Sequence, residues 1–412
     1  MMGSQVTDGK VLRPTDELEA LPPCPSISGL LENSVDRGRY ELDPEIVQRA
    51  SAWYPETVAS PAGNTVPSWW TDDPTISGSA VHLFRLRDAY FAPAFGIVFS
   101  AEGEVMSRSM EQAASATPDL ALLPHTERTG EETILTLPSQ VDELDRIVVS
   151  MPWGARTNYG HFVLDCLPTV ASVVDLPELH GYRFAFPPLE PWQRRHLELL
   201  GVKNPLELEI VDNFGPIVLV SDVIWASCMA SFIHQPNITY RVVRDRQLAS
   251  MEPTALSFDK VYVTRRGFVS SGGAPKRIFL SEERLEERLR GLGFAIFDPA
   301  QHTIDEQIDT FRHADVIVGC SGAALANVIY CHEAATVVEI TPMRMTAKVL
   351  ARNLWVCNIC AVVGCKWRPY YCADNPPEKP VLYQGVEQPE LGFSFDVDVE
   401  DLLRYIDAVS SP

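Results

Sequence analysis

Along the second half of the chain, the hydrophobic residues follow two alternating patterns, short apolar runs typical of strands and the spacing typical of helices. The run Val-Ile-Val at 316–318 predicts a buried strand, and small residues at 319–324 separate it from Leu325 and 328–329, which have helical spacing. The same succession recurs from residue 260 to 342. It predicts the strands KVYVTRR, FAIFDP, DVIVG and ATVVEITP and the helices SEERLEERLRGLG, TIDEQIDTFRHA and GAALANVIYC. Strands alternating with helices of this length predict a parallel, doubly wound sheet.

The first half shows the same rhythm between residues 145 and 250. A strand is expected at 147–149 and a helix from Asn158 or Tyr159 onward. Further expected elements are the strands YRFAFPP, LELEIV and PIVLVSDVIWA and the helices EPWQRRHLELLGV and PNITYRVVRDRQLASME. Short apolar runs split by Pro and Gly predict a β-meander at 80–108. We expect a loop at 109–140 and one short helix near 43–53.

These patterns predict an α/β fold with two Rossmann-like units in series. The expected segments are an irregular lead-in at 1–79, a first domain at 80–250, a second at 258–360, and a tail at 361–412. The tail ends in an amphipathic helix near 398–409. Two such units in series make a central cleft between them the expected active site.

The composition and net charge of the chain disfavour some classes of binding partner. The 412 residues are 46% hydrophobic and 22% charged, with a formal net charge of -21. This charge argues against a nucleic-acid or anionic-membrane surface, because both need clustered Lys and Arg. The start of the sequence has no apolar signal core, and the nine cysteines are scattered. We therefore expect a reduced, cytoplasmic protein with buried thiols and at most peripheral membrane contact.

The small residues after the strand at 316–318 have two interpretations. They are Gly319, Cys320, Ser321, Gly322 and Ala323. At the carboxyl end of a strand they would let backbone N–H groups approach an anion such as a pyrophosphate. They would equally let a helix pack close to the strand. The segment lacks the G-x-G-x-x-G spacing of a dinucleotide site and the Gly-Lys-Ser/Thr of a Walker loop.

Charged residues near other strand ends favour the anion interpretation. Arg265 and Arg266 end one strand, and Arg277 follows a Gly-Ser loop; Arg forks match phosphate oxygens, although surface ion pairs would also explain them. Glu339 ends the strand TVVEI. A carboxylate there can accept the hydroxyls of a ribose, and the alternative is a solvated acid.

The segment TNYGHFVLD places Asn158, Gly160, His161 and Asp165 at the start of a helix. His161 and Asp165 are four residues apart, so they share one helix face. A carboxylate there can orient an imidazole that acts as a general base. The alternative is a histidine that caps the helix or lies satisfied in the core.

Three further patterns bear on metals and helix starts. Cys357, Cys360, Cys365 and Cys372 include one zinc-like C-x2-C pair, but their apolar neighbours Val356, Ile359 and Val362 favour a buried strand. Asp396 and Asp398 are interpreted as solvated residues before a helix, not as a metal pair. Ser281 is expected to cap the helix that follows it.

Taken in order, NYGHFVLDCLP, VYVTRRG, KRIFLSEERL, HADVIVGCSGAALANVIYC and TVVEI resemble glycosyltransferase family 61. That family includes bacterial capsule and lipopolysaccharide enzymes and eukaryotic xylosyl- and N-acetylglucosaminyltransferases. The resemblance covers about 145–342. It implies a two-domain GT-B fold and inverting transfer from a nucleotide-sugar, usually a UDP-sugar. Arg265, Arg266, Arg277 and the backbone at 319–324 could stabilise the leaving diphosphate without a metal, so we expect metal-independent catalysis without a cofactor.

The resemblance also implies roles for individual residues. Arg265 or Arg266, Arg277 and the small-residue segment through Asn327 would hold the donor diphosphate, Glu339 would lie near the ribose, and His161 would face the cleft from the acceptor side. The chain departs from the family where Ser321 replaces a usual His, Ala324 a usual Gly and Ser281 a usual Asn. These departures concern the type of donor more than activity itself.

The sequence therefore predicts an inverting glycosyltransferase that acts on a polysaccharide or glycolipid acceptor. A catalytically impaired nucleotide- or sugar-binding scaffold of the same fold is the alternative, and Ser321 is its main support. An oxidoreductase is disfavoured because the dinucleotide fingerprint is missing. The sequence does not reveal the sugar, the acceptor, the linkage position or the oligomeric state, and it leaves open whether His161 or Asp165 is the base.

Overall fold

The computed structural model describes most of the chain from residue 83 onward. The described stretches are 83–100, 103–106, 126–129, 132–137, 141–151, 153–210, 216–226, 239–266, 277–342, 355–372 and 393–410, together with short strands elsewhere. They fall into two compact units, one built on 1–35, 80–230 and 245–250 and the other on 36–79, 231–244 and 251–412. The predicted α/β class is confirmed, and the predicted domain limits stay a prediction.

Unit 1 is organised around a mixed sheet. Within the described residues its nine strands are Arg13–Thr15, Glu19–Ala20, Leu83–Ala92, Ile97–Phe99, Glu104–Met106, Asp142–Val149, Arg183–Phe186, Leu206–Glu207 and Val218–Ala226. Asp142–Val149 lies between two parallel neighbours, Arg183–Phe186 and Val218–Ala226. Leu83–Ala92 pairs antiparallel with Val218–Ala226 and opens the predicted meander, which is confirmed. The central strands carry an apolar core on both faces.

The helices of unit 1 follow the sheet strands as predicted. They are Trp153–Arg156 and Pro177–Leu179 (3-10), Tyr159–His161 (α), Phe162–Cys166 (π), Leu167–Val173 (α) and Pro191–Leu199 (α). The last begins on Pro191, whose missing N–H is no loss at a first helical position, and a capping box joins Glu190 and Gln193. It ends before Gly201, which has φ +93°. The helix Thr239–Ser250 is divided between the two units.

Unit 2 contains the predicted parallel sheet. Its five described strands, in spatial order, are Ala295–Phe297, Lys260–Val263, Val316–Cys320, Thr336–Pro342 and Lys366–Cys372, and all neighbours are parallel. The fifth strand lies beyond the predicted segment 258–360. Three of the other strands lie on one side of Lys260–Val263 and one lies on the other side, so the strand order changes direction there, as in doubly wound sheets.

Helices cover this sheet, and their apolar residues have the expected spacing. They are Glu282–Gly291, Ile304–His313, Trp355–Val363 and Val399–Ser410, with 3-10 helices at Pro299–Gln301 and Ala323–Tyr330. In Ile304–His313 the buried Ile304, Ile308 and Phe311 lie on one face, and Thr303 forms a capping box with Glu306. The terminal amphipathic helix is confirmed, with Leu402 and Ile406 buried.

The remaining described strands form small sheets. Arg277–Phe279 pairs with Phe393–Phe395, which also pairs with Asp374–Asn375. Lys10–Val11, Thr126–Thr129 and Glu132–Leu135 form a second small sheet. Arg39–Glu41 pairs antiparallel with Thr75–Ser77, and Leu382–Tyr383 pairs antiparallel with Val386–Glu387.

Several predicted elements were wrong. The loop expected at 109–140 contains the antiparallel strands Thr126–Thr129 and Glu132–Leu135, which the hydrophobic pattern missed because the first is wholly polar. The buried strand expected around Cys357 is the helix Trp355–Val363, apolar on nearly every side, so that periodicity could not distinguish the two. The helix expected after Gly322 is a 3-10 helix.

Ser281 does not cap its helix. Its side chain makes no cap hydrogen bond and instead donates to the carboxylate of Asp396, so the helix Glu282–Gly291 is tied to the segment before the terminal helix. The helix expected near 43–53 lies outside the described residues. Across the described part of the chain, no helix combines the length and apolar character needed to cross a membrane.

Candidate functional site

The carboxyl ends of two neighbouring parallel strands bring together the predicted phosphate-binding residues of unit 2. Lys260–Val263 pairs with Val316–Cys320, and Val263 lies opposite Gly319. Arg265 therefore emerges beside Ser321. This placement follows directly from the parallel register, since strand ends of one direction meet at the same edge of the sheet.

Two guanidinium groups converge on one backbone oxygen at this edge. Arg277 Nη1 donates to the carbonyl oxygen of Ser321 at 2.8 Å, and Arg265 Nη1 donates to the same oxygen at 3.4 Å. Burial, together with the charge of Arg265, lowers the pKa of Arg277 to about 9. Within the described residues no carboxylate forms a salt bridge with Arg265. Two guanidinium groups therefore lie close together at this edge of the sheet.

Arg266 has a different role from its neighbour. Its Nη1 lies 3.2 Å from Glu286 Oε2, and its Nη2 lies 3.6 Å from Glu283 Oε1. The buried carboxylate of Glu286 also accepts from Thr264 Oγ1 at 2.7 Å. Arg266 thus ties the strand end to the helix Glu282–Gly291.

The backbone of Arg265 is anchored to the same helix. Its N–H donates to Glu282 Oε1 at 3.1 Å, and that oxygen also accepts from Tyr262 Oη at 3.1 Å. The carboxylate of Glu282 is buried, so the strand end is held firmly while the Arg265 side chain extends toward Ser321.

The two interpretations of the small residues apply to different positions. A Cβ on Gly319 would lie 3.0 Å from Leu325 Cδ2 and 3.3 Å from Val263 Cβ, so this glycine permits close packing. A Cβ on Gly322 would lie 3.3 Å from Arg265 Nη1, so this glycine leaves room for the guanidinium. The N–H of Ser321 already donates to Ile340 O at 3.0 Å and is not available to an anion.

Other predicted contacts of this segment lie inside the core. Asn327 is fully buried, and its Nδ2 donates to Gln307 Oε1 at 3.0 Å. The Cys320 thiol is buried, and burial together with Glu282 raises its pKa to about 12. Ala323, by contrast, is exposed and begins the 3-10 helix. The side chains of Asn327 and Cys320 therefore support the edge from the core side.

Glu339 is a buried carboxyl group. It has no exposed surface, lies within the strand Thr336–Pro342, and accepts a hydrogen bond from Trp367 Nε1 at 2.8 Å. Burial raises its pKa to about 7, while contacts with Ser321, Trp367 and Arg277 act in the opposite direction. The alternative interpretation as a solvated strand-end acid was therefore wrong, and the group is at the boundary of protonation near neutral pH.

The second set of predicted residues lies in unit 1, at the start of the helix Tyr159–His161. The side chain of Asn158 caps this helix, accepting from Gly160 N at 2.9 Å and His161 N at 3.4 Å. His161 Nδ1 lies 2.8 Å from Asp165 Oδ2. Asn158 therefore fixes the backbone from which His161 projects, and Gly160 is buried in the same turn.

Asp165 lies in a π-helical turn, an element frequently found at functional sites. Its carboxyl group is buried, and burial raises its pKa to about 6 despite the hydrogen bond from His161. Its Oδ1 has no hydrogen-bond partner among the described residues. The His161 side chain keeps 27% of its surface exposed, against 5% for Asp165, so the imidazole separates the carboxylate from solvent.

Two residues at this site were missed by the sequence patterns. A Cβ on Gly154 would lie 3.3 Å from both Cδ2 and Cγ of His161, so the glycine accommodates the ring. His196 is fully buried beside Tyr159 Oη (3.3 Å) and Gln247 Nε2 (3.3 Å), and burial lowers its pKa to about 3. It is a neutral packing histidine. Neither is recognisable from local sequence, because the Gly154 contact depends on how the chain turns between residues 154 and 161 and the His196 contacts join distant segments.

The residues considered as metal ligands are two aspartates near the terminal helix and four cysteines. In the described portion of the molecule, no group of three or more His, Cys, Asp or Glu side chains is arranged to hold a metal ion. Asp398 caps the terminal helix through the N–H of Asp401 at 3.1 Å, as expected for residues before a helix. Cys372 packs with Phe393 and Phe395, in a core cluster that does not contain Cys357, Cys360 or Cys365.

Residues 159–338 match the family model described as Glycosyltransferase 61. The match spans less than half of the 412 residues and covers the His161–Asp165 pair, Arg265, Arg277 and Ser321. It supports the resemblance to glycosyltransferase family 61, a glycosyltransferase activity, and donor and acceptor substrates. No curated protein matches the chain.

Proposed function

We propose that this protein transfers a sugar, with inversion, from a nucleotide-sugar to a polysaccharide or glycolipid acceptor, and that the donor is a UDP-sugar. The family match supports the reaction class. The donor, the stereochemistry and the acceptor come from the sequence resemblance and from the site geometry.

The observation that carries the proposal is the pair of guanidinium groups on Ser321 O. Arg265 and Arg277 are close enough that Arg265 lowers the pKa of Arg277. Two like charges in a partly buried site repel each other, and a diphosphate placed between them would relieve this repulsion with charge-assisted hydrogen bonds. During transfer the same groups would stabilise the negative charge that develops on the leaving nucleotide diphosphate.

His161 is proposed as the general base. The Asp165 carboxylate accepts from Nδ1–H, which assigns the proton-accepting role to Nε2. In an inverting displacement the base removes the proton of the acceptor hydroxyl while the nucleotide diphosphate leaves from the opposite face. Loss of Asp165 would allow the other tautomer and a rotated ring.

Further parts of the proposal rest on the resemblance or on composition alone. We propose the GT-B arrangement of the two units, metal-independent catalysis without a cofactor, a cytoplasmic location, and membrane contact that is at most peripheral. Glu339 is buried and has no surface that could contact a ribose. We therefore propose that it supports the donor site indirectly, through its contacts with Ser321 and Trp367.

The test combines binding and turnover in the same preparations. Isothermal titration calorimetry with UDP and other nucleoside diphosphates measures binding, and release of nucleotide from a panel of sugar nucleotides measures hydrolysis or transfer. We expect His161→Ala to bind the nucleotide as tightly as the parent protein does but to release none. Absence of both binding and turnover in the parent would overturn the proposal. Binding without turnover in the parent would instead support the scaffold function.

A further inference from the structure

Three cysteines of unit 2 meet where two helices end. Cys331 follows the 3-10 helix Ala323–Tyr330, and its N–H closes that helix on Val328 O at 3.0 Å. Cys360 lies in the last turn of Trp355–Val363, and Cys365 begins the chain beyond it. All three side chains are buried.

The backbone between the helices and the sheet explains why these residues come together. Gly364 has φ +93°, a left-handed conformation that ends the helix, and its N–H donates to Cys360 O at 2.8 Å. This turn reverses Cys365 toward Cys360. Lys366 N then donates to Ala335 O at 2.8 Å, which holds Cys365 next to the segment that follows Cys331.

Two side chains of a third helix, Thr239–Ser250, donate hydrogen bonds to the ends of these two helices. Arg244 Nη1 donates to the carbonyl oxygen of Cys331 at 3.5 Å, and Arg241 donates to the carbonyl oxygen of Val362. Both arginines lie in the helix Thr239–Ser250. The three sulfur atoms are therefore held by backbone contacts from independent elements.

The thiols of this cluster are not equivalent. The sulfur of Cys365 accepts hydrogen bonds from the thiols of Cys331 and Cys360, and these bonds lower its pKa well below the ordinary value, with a smaller contribution from His332. Burial raises the pKa of both Cys331 and Cys360. The reactive form of a cysteine is the thiolate, and within this group the hydrogen bonds favour the thiolate at Cys365.

The exposed fractions of the three cysteines also distinguish Cys365 from the other two. Cys365 keeps 7% of its surface accessible, against 0% for Cys331 and 1% for Cys360. Cys365 is therefore the most accessible residue of the three, and the thiols of the other two are in contact with its sulfur. A nucleophilic thiol with a resolving thiol beside it is the arrangement of a redox-active pair.

We propose that Cys365 is a site of reversible oxidation by hydrogen peroxide or a similar small peroxide, and that it forms a disulfide with Cys331 or Cys360. The Cys365 thiolate attacks one peroxide oxygen; an S–O bond forms, the O–O bond breaks, and hydroxide leaves and takes up a proton. The sulfur of the second cysteine then attacks Cys365; an S–S bond forms, the S–O bond breaks, and water leaves with the thiol proton. Peroxide is reduced by two electrons, and the two thiols are oxidised.

The experiment maps the bond in the full-length protein. After brief treatment with hydrogen peroxide, remaining thiols are alkylated, and tryptic peptides are analysed by mass spectrometry. Cys331 lies in peptide 313–344, and Cys360 and Cys365 lie in peptide 353–366. We expect either a cross-link between the two peptides or a bond within the second, in both cases through Cys365 and reversed by dithiothreitol. A Cys365 that stays fully alkylated, or a disulfide that excludes it, would overturn the inference.

Two variants test whether the disulfide depends on Cys365 in particular. Cys365→Ser is expected to abolish the disulfide, whereas Cys372→Ser, a buried cysteine in a different core cluster, is expected to leave it unchanged. Thermal unfolding of both variants shows whether each is folded. Because the mapping in the unaltered protein tests the proposal directly, it remains decisive if Cys365→Ser does not fold.

Discussion

His161 Nδ1 lies 2.8 Å from Oδ2 of Asp165, four residues later along the chain. The pair spans the change from α-helix to π-helix, and the carboxyl group is buried behind the ring. The hydrogen bond sets both the tautomer and the orientation of the imidazole. This contact between Nδ1 of His161 and Oδ2 of Asp165 therefore determines which ring nitrogen of His161 would face a substrate.

Replacement of Asp165 by Asn tests this relationship. The amide keeps the shape of the carboxyl group but no longer favours the proton on Nδ1, so we expect kcat to fall by about 10²- to 10⁴-fold, the range for loss of general-base assistance. Nucleotide affinity should stay within a factor of two or so, since the pair lies in a different unit from the arginines. Steady-state kinetics and calorimetry on one preparation measure both. Equal losses of binding and turnover would argue against a role specific to the base.

Gly154 offers a second way to disturb the same imidazole. A methyl group at this position would press on Cδ2 and Cγ of His161 at 3.3 Å, so Gly154→Ala should rotate the ring. We expect kcat to fall by about tenfold or more, because small displacements of a reacting group are costly. Gly291→Ala is a matched control, since a Cβ there meets nothing within 4 Å. Unchanged turnover in Gly154→Ala would show that the ring position is not critical.

The sequence sufficed to predict the regular part of the fold. Alternating periodicities located four of the five strands of the parallel sheet of unit 2, and the rule that strand ends of one direction share an edge placed the pair Arg265 and Arg266 at the same edge as the small residues 319–324. The His161–Asp165 contact was equally predictable, since it depends only on helical spacing. The first result follows from the topology of a parallel sheet, and the second depends only on two residues four positions apart.

What the sequence could not provide were contacts decided by packing between distant segments. Arg265 and Arg266 are identical neighbours, and only the position of the helix Glu282–Gly291 pairs one with Glu286 and leaves the other at Ser321. The burial of Glu339 depends on Trp367, which belongs to a strand that the hydrophobic pattern did not indicate. The helix at 355–363 was mistaken for a strand because its sequence is apolar on nearly every side, which removes the helical periodicity.

The different partners of Arg265 and Arg266 give a matched pair of variants. Arg265→Met removes a guanidinium that has no carboxylate partner among the described residues, so nucleoside diphosphate affinity should fall by about 10- to 100-fold, as expected for one charge-assisted hydrogen bond. Arg266→Met breaks the pairing with Glu286 and should lower thermal stability while leaving affinity nearly unchanged. Calorimetry and thermal unfolding separate the two effects. A larger loss of affinity in Arg266→Met would reverse the assignment.

Glu339 predicts a pH dependence of stability. The pKa is raised from 4.5 to about 7 in the folded state, so between these values the folded chain holds a proton that the unfolded chain has released. The stabilisation from this group is complete below about pH 4.5 and is lost as the pH rises through about 7. A shift of this size corresponds to about 3 kcal/mol.

Glu339→Gln keeps the shape of the side chain and removes its titration. We expect the free energy of unfolding of the parent protein, relative to that of the variant, to fall by about 3 kcal/mol between pH 4.5 and pH 8, as measured by urea unfolding at several pH values. Asp165, whose pKa is also raised by burial, contributes with the same sign to both proteins and cancels in the difference. Parallel stability profiles for the two proteins over this range would mean that Glu339 is ionised throughout and that its partners fully compensate for its burial.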